Sequence, residues 1–171
     1  MDKEKAVEAL VYIAREFPRV GRFHASKILY FAERKHLREY GRPIVGDRYI
    51  AMENGPVPSF AYDVLRGTVV PDDRELVIGA LRQNDRFRHP AYEAEREPDL
   101  DVFSATDIEC LNWAIEHCRL KTFGAISDET HTHVAWDRAR LNGPMSFDDF
   151  MDGADPDVVE DAEEFASYGV L

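Results

Sequence analysis

A chain of 171 residues, 44% hydrophobic and 32% charged, is long enough to bury one core. No apolar run approaches the roughly 20 residues a membrane-spanning helix needs, which excludes that class. The formal charge of −12 and pI near 4.9 disfavour nucleic acid as a partner of the whole protein, because phosphate binding draws on clustered Lys and Arg.

The start, "MDKEKAVEALVY", has mixed charge and helical periodicity where an export signal would have a basic start and an apolar block, so the expected location is the cytoplasm. From Lys3 to Phe17 the residues Ala6, Leu10, Ile13, Ala14 and Phe17 recur at helical spacing, and Pro18 ends the run. A second helix is expected over His24–Tyr40, with Ile28, Leu29, Phe31 and Ala32 on its apolar face. Gly41 stands where a left-handed cap belongs, and Pro43 prevents resumption.

"DRYIAMEN" alternates as a strand over 47–53, with Tyr49 and Ala51 on one face and Ile50 and Met52 on the other. Both faces are partly apolar, so both are expected to be covered. "NGPVP" reads as a break. A short helix follows near Phe60–Arg66, another is expected over Asp72–Arg82, and a strand near 86–94 in "RFRHPAYEAE".

"SATD" at Ser104 is a helix start with an acid three residues on, leading to Ile108, Leu111, Ile115 and Cys118 on one stripe. Cys110 and Cys118 lie eight residues apart in that helix, about 12 Å, too far to pair with each other. Further helix starts are expected at Ser127 and at Asp155-Pro156. The last helix carries Val158, Ala162, Phe165 and Ala166 on the side that should dock, with Gly169 after its end. Nine acids and no Lys or Arg occur between Leu141 and Leu171, which leaves −3 on residues 1–140. That acidic tail favours a basic partner. The whole reads as a predominantly helical α+β fold with a small sheet: a unit over 1–140 and an acidic helical extension, 141–171, docked on it.

The chemistry-bearing residues do not assemble a familiar active site. His131 and His133 in "THTH" are two metal-ligand types, but two ligands do not make a zinc site. Asp47 with His131 could serve a metal-dependent hydrolase, the enzymatic alternative. No glycine-rich phosphate cradle or nucleophile elbow occurs, and no catalytic residue, metal or cofactor is assigned. From Arg15 to Arg48 nine bases face four acids, a patch that reads either as a solvated helix face or as a seat for the acidic tail.

The ordered pattern "KILYFA", "YGRPIVGDRYIAMENGPVPS" and "ISDETHTHVAW" resembles the Panacea domain, the SocA-like antitoxin family. The positions that carry the resemblance include Lys27, Tyr30, Asp47, Tyr49, Gly55, Pro56, His131 and Trp136, with Arg42 inside the turn motif. Ile126 stands where the family usually has Leu, and Asp128 where it has Glu. The resemblance spans about Ala6 to Ala139. It implies an antitoxin that neutralises a toxin protein encoded beside it, in a bacterial or phage system, by direct binding. The same resemblance leaves open an adaptor role that delivers the toxin to an ATP-dependent protease. These motif residues are then scaffold or partner-binding surface.

Overall fold

The computed structural model describes residues 1–86 and 89–167, with side chains as far as Glu163. Helix α1, Lys3–Glu16, is the central element: every residue from Ala6 to Ala14 is buried, well beyond the single stripe its spacing suggests. Asp2 caps it by accepting from the Lys5 N–H. The one acid on that buried stretch, Glu8, accepts from the Arg96 guanidinium and from the Asp99 N–H, so the charge is paired inside.

β1, Val20–Gly21, leads into α2, Arg22–Tyr40. Gly41 closes α2 in the left-handed conformation, its N–H returning to the Leu37 carbonyl, as expected. β2, Tyr49–Met52, forms a hairpin with β3, Gly55–Pro58, in the register Met52 to Gly55 and Tyr49 to Pro58. The expected break at "NGPVP" is therefore a strand. Its prolines are tolerated because β3 is an edge, and its outer side faces helices where no further ladder is needed. On β2, Tyr49 and Ala51 are buried as expected, while Met52 is exposed and Ile50 half-buried. Residues 142–145 run along the other side of β2, with Met145 N–H donating to the Tyr49 carbonyl and Asn142 N–H to that of Ala51.

α3, Ser59–Arg66, ends at Gly67. Where one helix over Asp72–Arg82 was expected, α4 covers only Arg74–Val77, and Leu81–Asn84 forms β4. Gly79 turns left-handed between them, and pairing with β5, Ala91–Ala94, overrides the local helical pattern. Of the strand expected near 86–94, residues 87 and 88 lie outside the described residues. β1, β5 and β4 make an antiparallel sheet in that order.

α5, Ala105–Arg119, starts in a full capping box between Ser104 and Asp107. It packs along α2. Cys110 and Cys118 are both buried thiols, pushed up to about 12 by desolvation. α6, Phe123–His131, starts at Thr122, whose hydroxyl accepts from Ala125 N–H; Ser127, the expected start, lies mid-helix and buried. α7, Val134–Asp137, and α8, Phe147–Phe150, are single turns. α9, Pro156–Ser167, starts where expected and meets α2 at Gly41 through Val158 and Ala162. The side chains of Phe165 and Ala166, and Gly169, lie outside the described residues. The fold is α+β and predominantly helical, and no helix among the described residues is long and apolar enough to cross a membrane.

Candidate functional site

Three separate stretches of sequence meet at the β2–β3 hairpin. Lys27, on the stripe Phe23-Lys27-Phe31 of α2, is buried, and its Nζ donates to the Pro56 carbonyl at 2.6 Å. Gly55 sits at φ +91 beside it: a Cβ there would stand 2.2 Å from Thr130 Oγ1 and 2.8 Å from Lys27 Nζ. Only glycine suits both the backbone angle and the space. From α7, the Trp136 indole N–H donates to the Met52 carbonyl at 3.0 Å, and the His131 ring stacks on Trp136 with centroids 3.8 Å apart.

The base of the hairpin is fixed by buried acids. Asp47 accepts from Phe60 N–H at 3.1 Å and Ala61 N–H at 2.9 Å, capping α3 from 13 and 14 residues away in sequence. Burial nevertheless raises its pKa, with the backbone donors opposing. Glu33 gathers the N–H groups of Ile44, Val45 and Gly46 at 3.2, 3.1 and 2.7 Å, holding the turn between α2 and β2. Full burial pushes its carboxyl up to about 7 despite those three donors. Sequence reasoning missed Glu33, although an acid spaced four residues from both Leu29 and Leu37 on an apolar face was the available signal.

Tyr30 and Tyr49 are core residues, with ring centroids 5.6 Å apart and Phe150 packed against both. Burial raises both phenols. Tyr30 OH bonds to His133 Nδ1 at 2.8 Å, whereas Tyr49 OH is buried without a partner among the described residues. Arg42 stands elsewhere, reaching Ser104 Oγ at 2.8 Å and Asp107 Oδ1 at 3.3 Å to tie the end of α2 to the start of α5.

Beside the hairpin tip opens a cleft of about 810 Å³. Phe23 and Lys27 of α2, Met52 and Gly55 of the hairpin, Phe123 at the start of α6, and Leu141 line it. Nothing in the sequence announces this cleft, because Phe23, Phe123 and Leu141 come from distant segments. Burial lowers the Lys27 ammonium to about 7. A second, more polar pocket of about 420 Å³ lies along α2 at Arg34 and Arg38.

The two histidines of "THTH" diverge: His131 lies on Trp136, and His133 packs against Tyr30 and Phe31. Among the described residues no group of three or more His, Cys, Asp or Glu side chains is placed to hold a metal ion. Asp47 and His131, the pair of the hydrolase alternative, are engaged with different partners, backbone N–H groups for one and an indole ring for the other.

No curated protein and no solved structure matches the chain. The family model described as antitoxin SocA-like, Panacea domain, matches residues 26–137, more than half of the chain, and spans most of α2, the hairpin, α5, α6 and Trp136. On that match, and with the motif residues converging on one hairpin, the chain belongs to the SocA-like antitoxin, Panacea-domain family.

Proposed function

We propose that this protein is an antitoxin that neutralises a cognate toxin protein by binding it directly, without catalysis of its own. Its support is the work done by the family's motif residues: Lys27, Asp47, Gly55, Pro56 and Trp136 hold a hairpin in place and leave its tip and the adjoining cleft open. A rigid scaffold presenting a concave, partly apolar surface is what a binding module requires. The acid best placed by sequence for catalysis, Asp47, has both oxygens committed to backbone donors. Residues 1–140 form most of the binding unit in this reading, and the acidic segment 141–171 docks on it and adds Leu141 to the cleft wall.

Co-expression with the product of the neighbouring gene tests the proposal. That product alone should arrest growth, and this protein should restore growth and co-purify with it in fixed ratio. A harmless neighbour, or toxicity undiminished by co-expression, would overturn it. Toxin lifetime separates the two modes of neutralisation: an unchanged half-life in a stable complex is expected for occlusion, and a shortened one would mark an adaptor to an ATP-dependent protease.

A further inference from the structure

The cleft beside the hairpin is lined by an amine, Lys27, that pairs with no carboxylate among the described residues. Lys27 is 1% exposed, and its Nζ lies between two lining residues, 5.2 Å from the Phe23 ring centroid and close under Gly55. An ammonium has three donors, and the Pro56 carbonyl is the one acceptor it meets among the described residues. The adjacent residue, Ser26, also lines the cleft and is 2% exposed, and its Oγ is buried with no partner among the described residues. A buried cation without a counter-charge is unfavourable unless it is neutralised or paired.

Three carboxylates of the surrounding elements are already engaged, and Asp128 of α6 is exposed. Glu33 holds the Ile44–Gly46 turn, Asp47 caps α3, and Glu129 pairs with Lys121 and His117. Of the charged residues lining the cleft, Arg22 and Lys27 face a single acid, Glu53, which sits at the exposed hairpin tip. The cleft thus offers an amine without a counter-charge, which takes its full charge when a carboxylate joins it, on a protein of net charge −12. Its walls are apolar: Phe23 and Phe123 stand with ring centroids 4.1 Å apart, and Phe123 is 48% exposed. A volume of about 810 Å³ lies within the range of ligand pockets and accommodates more than one side chain.

We infer that the cleft receives a segment of the toxin in which a carboxylate adjoins an apolar side chain, the carboxylate accepting from Lys27 Nζ and Ser26 Oγ and the apolar group lying against Phe23 and Phe123. This inference rests on the proposed antitoxin function for the identity of the partner, and the chemistry of the cleft can be tested without the toxin. A carboxylate in this position forms charge-assisted hydrogen bonds in a desolvated site, which are stronger than neutral ones. Anchoring by one buried apolar group beside a satisfied charge is the pattern of an interface hot spot.

The test uses the full chain and two small probes, 4-phenylbutyrate and its neutral amide, titrated at pH 7 and low salt with backbone amide shifts as readout. The carboxylate should bind at least about tenfold more tightly than the amide, with shifts centred on Phe23–Lys27, Gly55 and Phe123. Ser26→Ala, which removes a hydroxyl without a fold partner, should fold normally and narrow that preference; Lys27→Met, if folded, should abolish it. Phe123→Ala should weaken both probes alike. Equal binding of acid and amide, binding of neither, or a preference unchanged in Ser26→Ala would overturn the inference. If the probes discriminate as expected and the neighbouring gene product still fails to bind, the antitoxin reading falls and the cleft chemistry stands; if the toxin binds and the probes do not discriminate, the reverse holds.

Discussion

The ammonium nitrogen of Lys27 and the carbonyl oxygen of Pro56 lie 2.6 Å apart, joining the middle of α2 to a strand 29 residues downstream. This one bond explains why two motif segments occur together in the chain: the lysine of "KILYFA" is the support beneath the proline of "NGPVP". Thr130, from the third segment, fills the other side of Gly55.

Gly55 is accordingly the least replaceable residue of the hairpin. Gly55→Ala places a methyl group 2.2 Å from Thr130 Oγ1 at a backbone angle that side chains rarely adopt. Denaturant unfolding should show a loss of about 2 to 3 kcal/mol. A melting curve that superimposes on the wild type would contradict this packing.

Asp47 acts through α3. Asp47→Ala removes the acceptor for the Phe60 and Ala61 N–H groups, and the expected loss is about 1 to 2 kcal/mol, with Asp47→Asn recovering part of it because one carbonyl oxygen remains. Equal stability of all three proteins would show that the cap contributes nothing.

Asp107 is the charged node of the helical layer. Fully buried, it accepts from Lys5 Nζ at 2.7 Å and from Ser104 N–H at 2.8 Å, with His36 Nε2 at 3.1 Å and Arg42 Nη1 at 3.3 Å. Its pKa is lowered although burial alone would raise it, because Lys5, the Ser104 N–H and Arg42 outweigh desolvation. Asp107→Ala strands the Lys5 ammonium and the Ser104 N–H, removes the counter-charge beside Arg42, and should cost about 3 kcal/mol or more. A loss below that of an ordinary helix cap would mean the network is not coupled.

His133 should remain neutral well below the usual histidine range. Burial, with Arg34 and Arg38 nearby, lowers it to about 4, so its Nδ1 stays an acceptor for Tyr30 OH through neutral pH. Because the folded pKa lies below the unfolded one, the stability from neutral His133 is fully present above about pH 6.5 and declines as pH falls toward 4. Imidazole carbon shifts followed over pH 3 to 8 should show one ring titrating near 4. A midpoint near 6.5 for His133 would contradict its burial against Tyr30 and Phe31.

What the sequence made legible was local. Gly41 and Ser104 marked helix ends through backbone chemistry that needs only neighbouring residues, and the alternation of Tyr49, Ile50, Ala51 and Met52 marked a strand, although both of its faces were expected to be covered and Met52 is exposed. What it hid was non-local. Pro56 and Pro58 look like strand breakers until β2 pairs with them and Lys27 takes the Pro56 carbonyl. Leu81–Asn84 looks helical until β5 supplies a partner. Thr122 outcompetes Ser127 as a helix start because Ser127 is needed inside, where its carbonyl accepts from Thr130 Oγ1. The cleft follows only from bringing α2, the hairpin and α6 together.

If the toxin is held at the cleft beside the hairpin, the affinity of the purified proteins for one another depends on the cleft wall. Calorimetric titration of the neighbouring gene product should be compared for the wild type, for Phe123→Glu on the exposed cleft wall, and for Ile78→Glu, a more exposed apolar position outside the cleft. Phe123→Glu should weaken binding at least about tenfold with thermal stability unchanged, and Ile78→Glu should leave it as it was. Equal affinity for the wild type and Phe123→Glu would place the toxin elsewhere than this cleft.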